Sequence, residues 1–332
     1  SPKDYVQVIR EYLTPFFETL SDAIPEKLSQ CIVSGNEIQT IASMCNATNS
    51  LDFSIMERTA FTKMYKKAKE KGTEAISMEY DIPQEEVEVL LPSLIVLNRL
   101  LKYTVNDSIL LSNVLLSDAV MFEMLFPKEA SFVVKAYEEF TLQSATSIAE
   151  RFGRDIGHIS RVSSVAIEIY DKMKKLHGYK SRERTLLQVS AILQDIGKYV
   201  NVKNHALLSY NTITNLDIVG INDHERLIIA TVCYYHNGNI PSMDSPIYNQ
   251  LSQEDRVMVS KLAAILQISN AINTSHSPKF EQVSVNMKNG KLNIYLTTLK
   301  NINLEKWAFI AKSKLFKEVY GLNATIIKRG VL

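Results

Sequence analysis

The 332 residues hold few of the types that cross-link or punctuate a chain: three cysteines, 11 glycines, nine prolines and one tryptophan. Cys31, Cys45 and Cys233 are too few and too scattered for a disulfide framework or a zinc knuckle, so a reducing cytoplasm is expected. The scarcity of glycine and proline excludes collagen-like and low-complexity classes. No Gly-x-Gly occurs, the nearest pair being Gly153 and Gly157, so a backbone cradle for phosphates lacks its usual closely spaced glycines. Long apolar runs are missing too. The longest, Val89 to Leu101, is interrupted by Pro92, Ser93, Asn98 and Arg99, well short of the roughly 20 residues a membrane span needs. No signal peptide precedes Asp4, and neither membrane nor nucleic acid is expected as a partner. The chain opens Ser-Pro rather than with Met and reads as a trimmed piece of something longer.

What is present is a core-forming 46% of hydrophobic residues and a concealed charge asymmetry. The net charge of +1 divides near residue 130: residues 1–130 carry 12 Lys/Arg and 19 Asp/Glu, net −7, and the remainder 25 and 17, net +8. An acidic module joined to a basic one is implied, and the basic one is suited to a polyanion, although basic side chains also simply solvate helix faces.

Hydrophobic periodicity gives the organisation. Val6, Ile9, Leu13, Phe16, Phe17 and Leu20 recur at helical spacing until Ile24-Pro25 breaks the pattern. Cys31-Ile32-Val33 reads as a short buried strand, turned by Ser34-Gly35 into a helix carrying Ile38, Ile41, Ala42 and Met44. A lysine-rich helix over Thr62 to Lys71, the Asp81 to Leu101 region and the apolar Ile109 to Val114 complete a small α/β module ending near Pro127. From Ala130 to about His276 the pattern is almost wholly helical. One stripe runs through Ile159, Val162, Val165, Ile169, Met173 and Leu176, and another through Leu186, Val189, Leu193 and Ile196, stopped by Gly197. Asn222 with Glu225, and Ser252 with Asp255, open two further helices. A hairpin turning at Asn289-Gly290 pairs Val283 with Leu296, Val285 with Ile294 and Met287 with Leu292, and a last helix near Leu304 to Val319 carries Trp307. The fold class is therefore mainly α with a small α/β part, divided into residues 1–128 and 129–332.

All six histidines, 158, 177, 205, 224, 236 and 276, lie beyond residue 157. The order of His158, Gln194-Asp195, His205 and His236 resembles the HD domain of metal-dependent phosphohydrolases, where a His, a His-Asp pair and a later Asp converge on divalent ions. Here the paired His is Gln194, and the later Asp falls at Asn270 in Ile268-Ser-Asn270-Ala-Ile-Asn273. Two of four ligands are missing and about one negative charge remains, so the reading assigns no metal to this pocket.

A broader resemblance spans nearly the whole chain. Leu193-Gln-Asp195-Ile-Gly197-Lys-Tyr-Val, His205-Ala-Leu-Leu-Ser209-Tyr210 and Tyr235-His236-Asn-Gly-Asn-Ile-Pro241 resemble the carboxy-terminal HD-like domain of the exopolyphosphatase and guanosine pentaphosphate phosphohydrolase family. Ile32-Val-Ser34-Gly35-Asn36 is similar to the Ser-Gly turn of that family's second actin-like lobe. Ser112-Asn-Val-Leu-Leu-Ser-Asp118-Ala-Val120 stands where a small-residue motif closes the lobe, without the expected Arg and Gly. The resemblance implies a partial actin-like (ribonuclease H-like) lobe followed by a helical HD-like domain with a terminal β-hairpin and helix. It also implies release of terminal phosphate from inorganic polyphosphate or guanosine pentaphosphate with Mg²⁺, and a homodimer formed through the carboxy-terminal part. The first lobe is expected to lie outside these residues, so no catalytic base is named and the chain alone is expected to be inactive.

Ser34, Gly35 and Asn36 are candidates for phosphate or nucleotide contact at a helix start, or else an ordinary helix cap. His158, Arg161, Asp195, Lys198, Lys203, His205 and His236 are candidates to line the degenerate HD pocket as a polyanion groove. A buried His158 bonded to Asp195 would alternatively just hold two helices together. Tyr199, Tyr210, Tyr234 and Tyr235 are expected to fill core and rim. A non-catalytic binding or dimerisation module is the alternative to the enzyme.

Overall fold

A computed structural model describes residues 2–24, 27–50, 53–288 and 290–330. Pro25, read above as a helix breaker, and Asn289, read as half of a turn, lie outside the described residues. The chain separates into two compact units, Ser1–Ala130 and Ser131–Leu332.

In the amino-terminal unit a long helix, α1 (Pro2–Ala23), precedes β1 (Ile32–Val33) and α2 (Glu37–Met44). Next come β2 (Thr48–Asn49), β3 (Phe53–Glu57), α3 (Arg58–Lys71), α4 (Thr73–Tyr80), α5 (Gln84–Leu100), β4 (Ser108–Ser112) and α6 (Leu116–Leu125). The strands form one sheet in the order β1-β4-β3-β2, with β1 parallel to β4 and the other pairs antiparallel. Alternation selects the packed face: Ile109 and Leu111 of β4 and Met56 of β3 are fully buried. They join Ile38, Ile41, Ala42 and Met44 of α2, Phe61 and Met64 of α3, and Leu90, Leu94 and Ile95 of α5 in one core. The four α2 residues are those whose spacing predicted the helix. The buried strand expected at Cys31 to Val33 is instead an edge strand with Ile32 exposed, because alternation turns Cys31 and Val33 toward the core and Ile32 away from it.

The carboxy-terminal unit packs α7 (Ser131–Arg151), α8 (Ile156–Lys172), α9 (Lys174–His177), α10 (Ser181–Leu193), α11 (His205–Ile213), α12 (Asp223–Tyr235) and α13 (Pro246–Asn249) around α14 (Gln253–Ile272). Helix α14 touches α8, α10, α12 and α15 (Asn303–Tyr320), and its Leu262 to Leu266 run is wholly buried. Full burial of one such aliphatic side chain contributes about 1.5–3 kcal/mol. The Asn222 side chain accepts from the Glu225 amide at 2.9 Å while Glu225 accepts from the Asn222 amide at 3.2 Å, closing the capping box that starts α12. Ser252 caps α14 in the same way through the Asp255 amide.

Beside the helices lies a sheet of β5 (Gln282–Lys288), β6 (Lys291–Thr297) and β7 (Asn323–Arg329). The pairs Val283 with Leu296, Val285 with Ile294 and Met287 with Leu292 are those expected from the alternation. The sequence reading missed β7, which runs parallel to β6 and is reached by a crossover through α15. The terminal hairpin and helix are thus a β-β-α-β unit.

Candidate functional site

Three helix ends of the carboxy-terminal unit meet in one buried cluster. Asp195 follows α10, His205 is the first residue of α11, and His236 immediately follows α12. All three are buried, and one ligand atom from each lies within 4.8 Å of the others. His236 Nε2 stands 3.3 Å and His205 Nε2 3.6 Å from Asp195 Oδ1, and the two Nε2 atoms are 3.3 Å apart. On the other carboxylate oxygen, Lys198 Nζ bonds Oδ2 at 2.7 Å and His158 Nε2 approaches to 3.8 Å.

The backbone decides which imidazole nitrogens face inward. His205 Nδ1 lies 2.8 Å from the carbonyl of Val202, and His236 Nδ1 bonds the carbonyl of Cys233. A carbonyl only accepts, so both Nδ1 atoms carry protons and both Nε2 atoms face the cluster. His158 is held from the far side, where its Nδ1 meets the Asn273 side-chain amide at 2.7 Å. His276 stacks on the His158 ring with centroids 3.9 Å apart.

A close backbone approach places the middle of the site. The turn Ile196–Tyr199 packs on α11 so tightly that a Cβ on Gly197 would lie 2.2 Å from the carbonyl oxygen of His205 and 2.5 Å from the Ser209 nitrogen. The sequence places Gly197 as a helix-ending glycine, but its φ is not positive. Glycine is needed there for space rather than for a left-handed cap.

Electrostatics follow from burial and these neighbours. Burial acts upward on the Asp195 carboxyl, but His236 and Lys198 outweigh it and hold the group well below the usual carboxylate range. Burial, then the adjacent His276, lowers His158 to about 4 against the pull of Asp195. His205 is lowered by burial and by His236. Lys312 of α15 is lowered chiefly by burial, with Asp195 opposing.

Of the candidates named from sequence, the structure brings His158, Asp195, Lys198, His205 and His236 together. Arg161, half-buried, lies 4.0 Å from Asp155 at the start of α8. Lys203 is exposed, and its backbone amide donates to the Asn201 side chain at 2.9 Å. Ser34, Gly35 and Asn36 belong to the amino-terminal unit. There Ser34 Oγ reaches the Val114 carbonyl at 3.5 Å, Gly35 has φ +150°, and Asn36 precedes α2 without a side-chain cap bond. Tyr199 is exposed and Tyr235 buried, with Tyr210 and Tyr234 between.

Sequence reasoning missed three residues. Asn273, which caps the carboxy end of α14, is the amide that reaches His158, rather than Asn270 within the helix. Gln267 donates to the carbonyls of Tyr235 at 2.6 Å and Asn239 at 2.8 Å, pinning the chain on either side of His236. A glutamine inside the apolar run Ile265-Leu266-Gln267-Ile268 was its signal. Lys312 carried none, being one lysine among several on α15.

A family model for the Ppx/GppA phosphatase, domain III, matches residues 142–315, which takes in α8 to α14, the whole Asp195 cluster and most of α15. That span is just over half of the 332 residues, and the chain belongs to the Ppx/GppA phosphatase family.

Proposed function

We propose that the chain is the carboxy-terminal portion of an exopolyphosphatase-type phosphohydrolase, acting on inorganic polyphosphate or guanosine pentaphosphate. The observation that carries this reading is the family match over residues 142–315. In the proposal, residues 1–128 form part of the second actin-like lobe and Ser34-Gly35-Asn36 contacts phosphate. Residues 129–332, with 25 Lys/Arg and 18 Asp/Glu and so net +7, guide the anionic chain. Water attacks the terminal phosphorus as the bridging P–O bond breaks, releasing orthophosphate and a chain one phosphate shorter. Such chemistry needs oriented donors and a cation more than covalent catalysis. With no Gly-x-Gly in the sequence, the proposal leaves these residues alone inactive, in a cytoplasmic setting. No described helix is long and apolar enough to cross a membrane.

The Mg²⁺ that the family implies does not fit the Asp195 cluster. Two imidazole nitrogens and one carboxylate oxygen are the wrong donors for an ion that takes oxygen ligands in near-octahedral geometry. No step of the hydrolysis is therefore assigned to that cluster.

The test is phosphate release from long-chain polyphosphate with added Mg²⁺, comparing this chain with any longer product of the same gene, together with polyphosphate binding at 50 and 200 mM salt. Activity in the longer form and binding that weakens steeply with salt are expected. Activity in neither form, or salt-insensitive binding, would reject the reading.

A second reading, a dimerisation module with a degenerate HD site, is favoured by Leu304, Trp307 and Ile310. They stand exposed along one side of α15, with Trp307 71% and Ile310 76% accessible.

A further inference from the structure

We propose that Asp195, His205 and His236 bind a divalent transition metal of the Zn²⁺ type. The inference does not depend on the phosphohydrolase reading, since it concerns only the donor atoms of the carboxy-terminal unit. It differs from the ligand set that the sequence suggested, for it uses neither Gln194 nor Asn270.

Three facts support it. First, the inward atoms are two imidazole nitrogens and a carboxylate oxygen. The carbonyls of Val202 and Cys233 engage Nδ1 of His205 and His236, which turns each Nε2 toward the other and toward the Asp195 carboxylate. Asp195 Oδ1 is buried and has no hydrogen-bond partner among the described residues. Two imidazole nitrogens and a carboxylate oxygen turned to one point form a ready set of metal donors.

Second, the spacing is that of a tetrahedral ion. Zinc-to-ligand bonds of about 2.0–2.1 Å place neighbouring ligand atoms about 3.3–3.4 Å apart. The observed separations are 3.3, 3.3 and 3.6 Å. Lys198 occupies Oδ2 at 2.7 Å, which leaves Asp195 to act through Oδ1 alone.

Third, the surroundings support the ligands as metal sites require. Each histidine donates its other ring N–H to a backbone carbonyl, which fixes the tautomer and the ring orientation. Two imidazoles and one carboxylate favour Zn²⁺ over Mg²⁺. Three protein ligands leave one position for water.

The experiment is calorimetric titration of the chelator-treated full chain with Zn²⁺, with Mg²⁺ as competitor and no phosphate ligand present. One Zn²⁺ per chain, undisturbed by millimolar Mg²⁺, is expected. His205→Ala and His236→Ala are expected to weaken binding by more than the roughly 10–100-fold typical of residues behind the ligands, while His224→Ala, an exposed histidine on α12, retains it. Asp195→Asn keeps the side-chain volume and guards against variants that fail to fold; it too should bind more weakly. No stoichiometric uptake by the wild-type chain, or uptake unchanged in both histidine variants, would overturn the proposal. Polyphosphate hydrolysis is read separately, so either proposal can fail alone.

Discussion

The Gly197 amide donates to the Ser209 hydroxyl at 2.9 Å, and that hydroxyl donates to the Gln194 carbonyl at 2.8 Å. This relay is buried and ties the turn after α10 to α11, fixing Asp195 relative to His205. Both bonds depend on the close approach that only glycine permits at position 197.

Gly197→Ala tests that dependence. The added methyl meets backbone atoms of His205 and Ser209 rather than a flexible side chain, so the two segments have to separate. Destabilisation of about 3 kcal/mol is expected in denaturant unfolding, the upper part of the range for overpacked sites. A change under about 0.5 kcal/mol would show that the turn can move without cost.

How much of this was legible in the sequence depended on range. Hairpin register was readable because alternation over Val283, Val285 and Met287 leaves one pairing that buries all three partners. Strand β7 was not, because Asn323–Arg329 is mostly exposed on its own and gains its role from a parallel neighbour across an 18-residue helix. The cluster was half legible. The order of histidines and Asp195 named the residues, but the inward nitrogen of each ring is set by carbonyls at Val202 and Cys233, and no side-chain pattern encodes those. Asn273, which follows α14, was missed for the same reason, since its place in the sequence does not say that it reaches His158.

The thiols are expected to be inert in the native state. Burial raises the pKa of Cys45 to about 11 and that of Cys233 well above its ordinary value; Cys233 also donates to the Ser190 carbonyl. Cys31 is raised by burial too, with Arg58 opposing, and is the least enclosed of the three. At pH 8 about one Cys45 in a thousand is a thiolate, the reactive form. An aromatic disulfide reagent should therefore label Cys31 slowly and the other two only after denaturation. Rapid labelling of all three without denaturant would contradict this.

Glu305 should contribute to the acid limb of stability. Its side chain is wholly buried in the first turn of α15, with both oxygens 3.0 Å from Lys279 Nζ. Burial acts upward on its pKa, but Ser275 and Lys279 outweigh it, so the group lies below its ordinary value. With the folded pKa below the unfolded one, near 4.3, the contribution is complete above the unfolded value and is lost as pH falls through the folded one. Glu305→Gln should flatten the stability profile below about pH 5 and, by leaving Lys279 unpaired, cost about 3 kcal/mol at neutral pH. An unchanged acid slope would mean that other carboxylates set it.

Trp307 decides between a dimer and a monomer. The single tryptophan of the chain is exposed beside Leu304 and Ile310 on α15, and large aromatics at the centre of an interface carry much of its affinity. If two copies meet there, the wild-type chain sediments as a dimer at micromolar concentration. Its tryptophan emission then shifts to the blue as concentration rises, because the indole leaves water. Trp307→Asp should raise the dimer dissociation constant about 30-fold or more, corresponding to about 2 kcal/mol, while leaving the buried Phe309 and Phe316 side of the helix, and hence the fold, intact. A wild-type chain that sediments as a monomer, or a dimer that Trp307→Asp leaves unchanged, would exclude this face of α15 as the contact between copies.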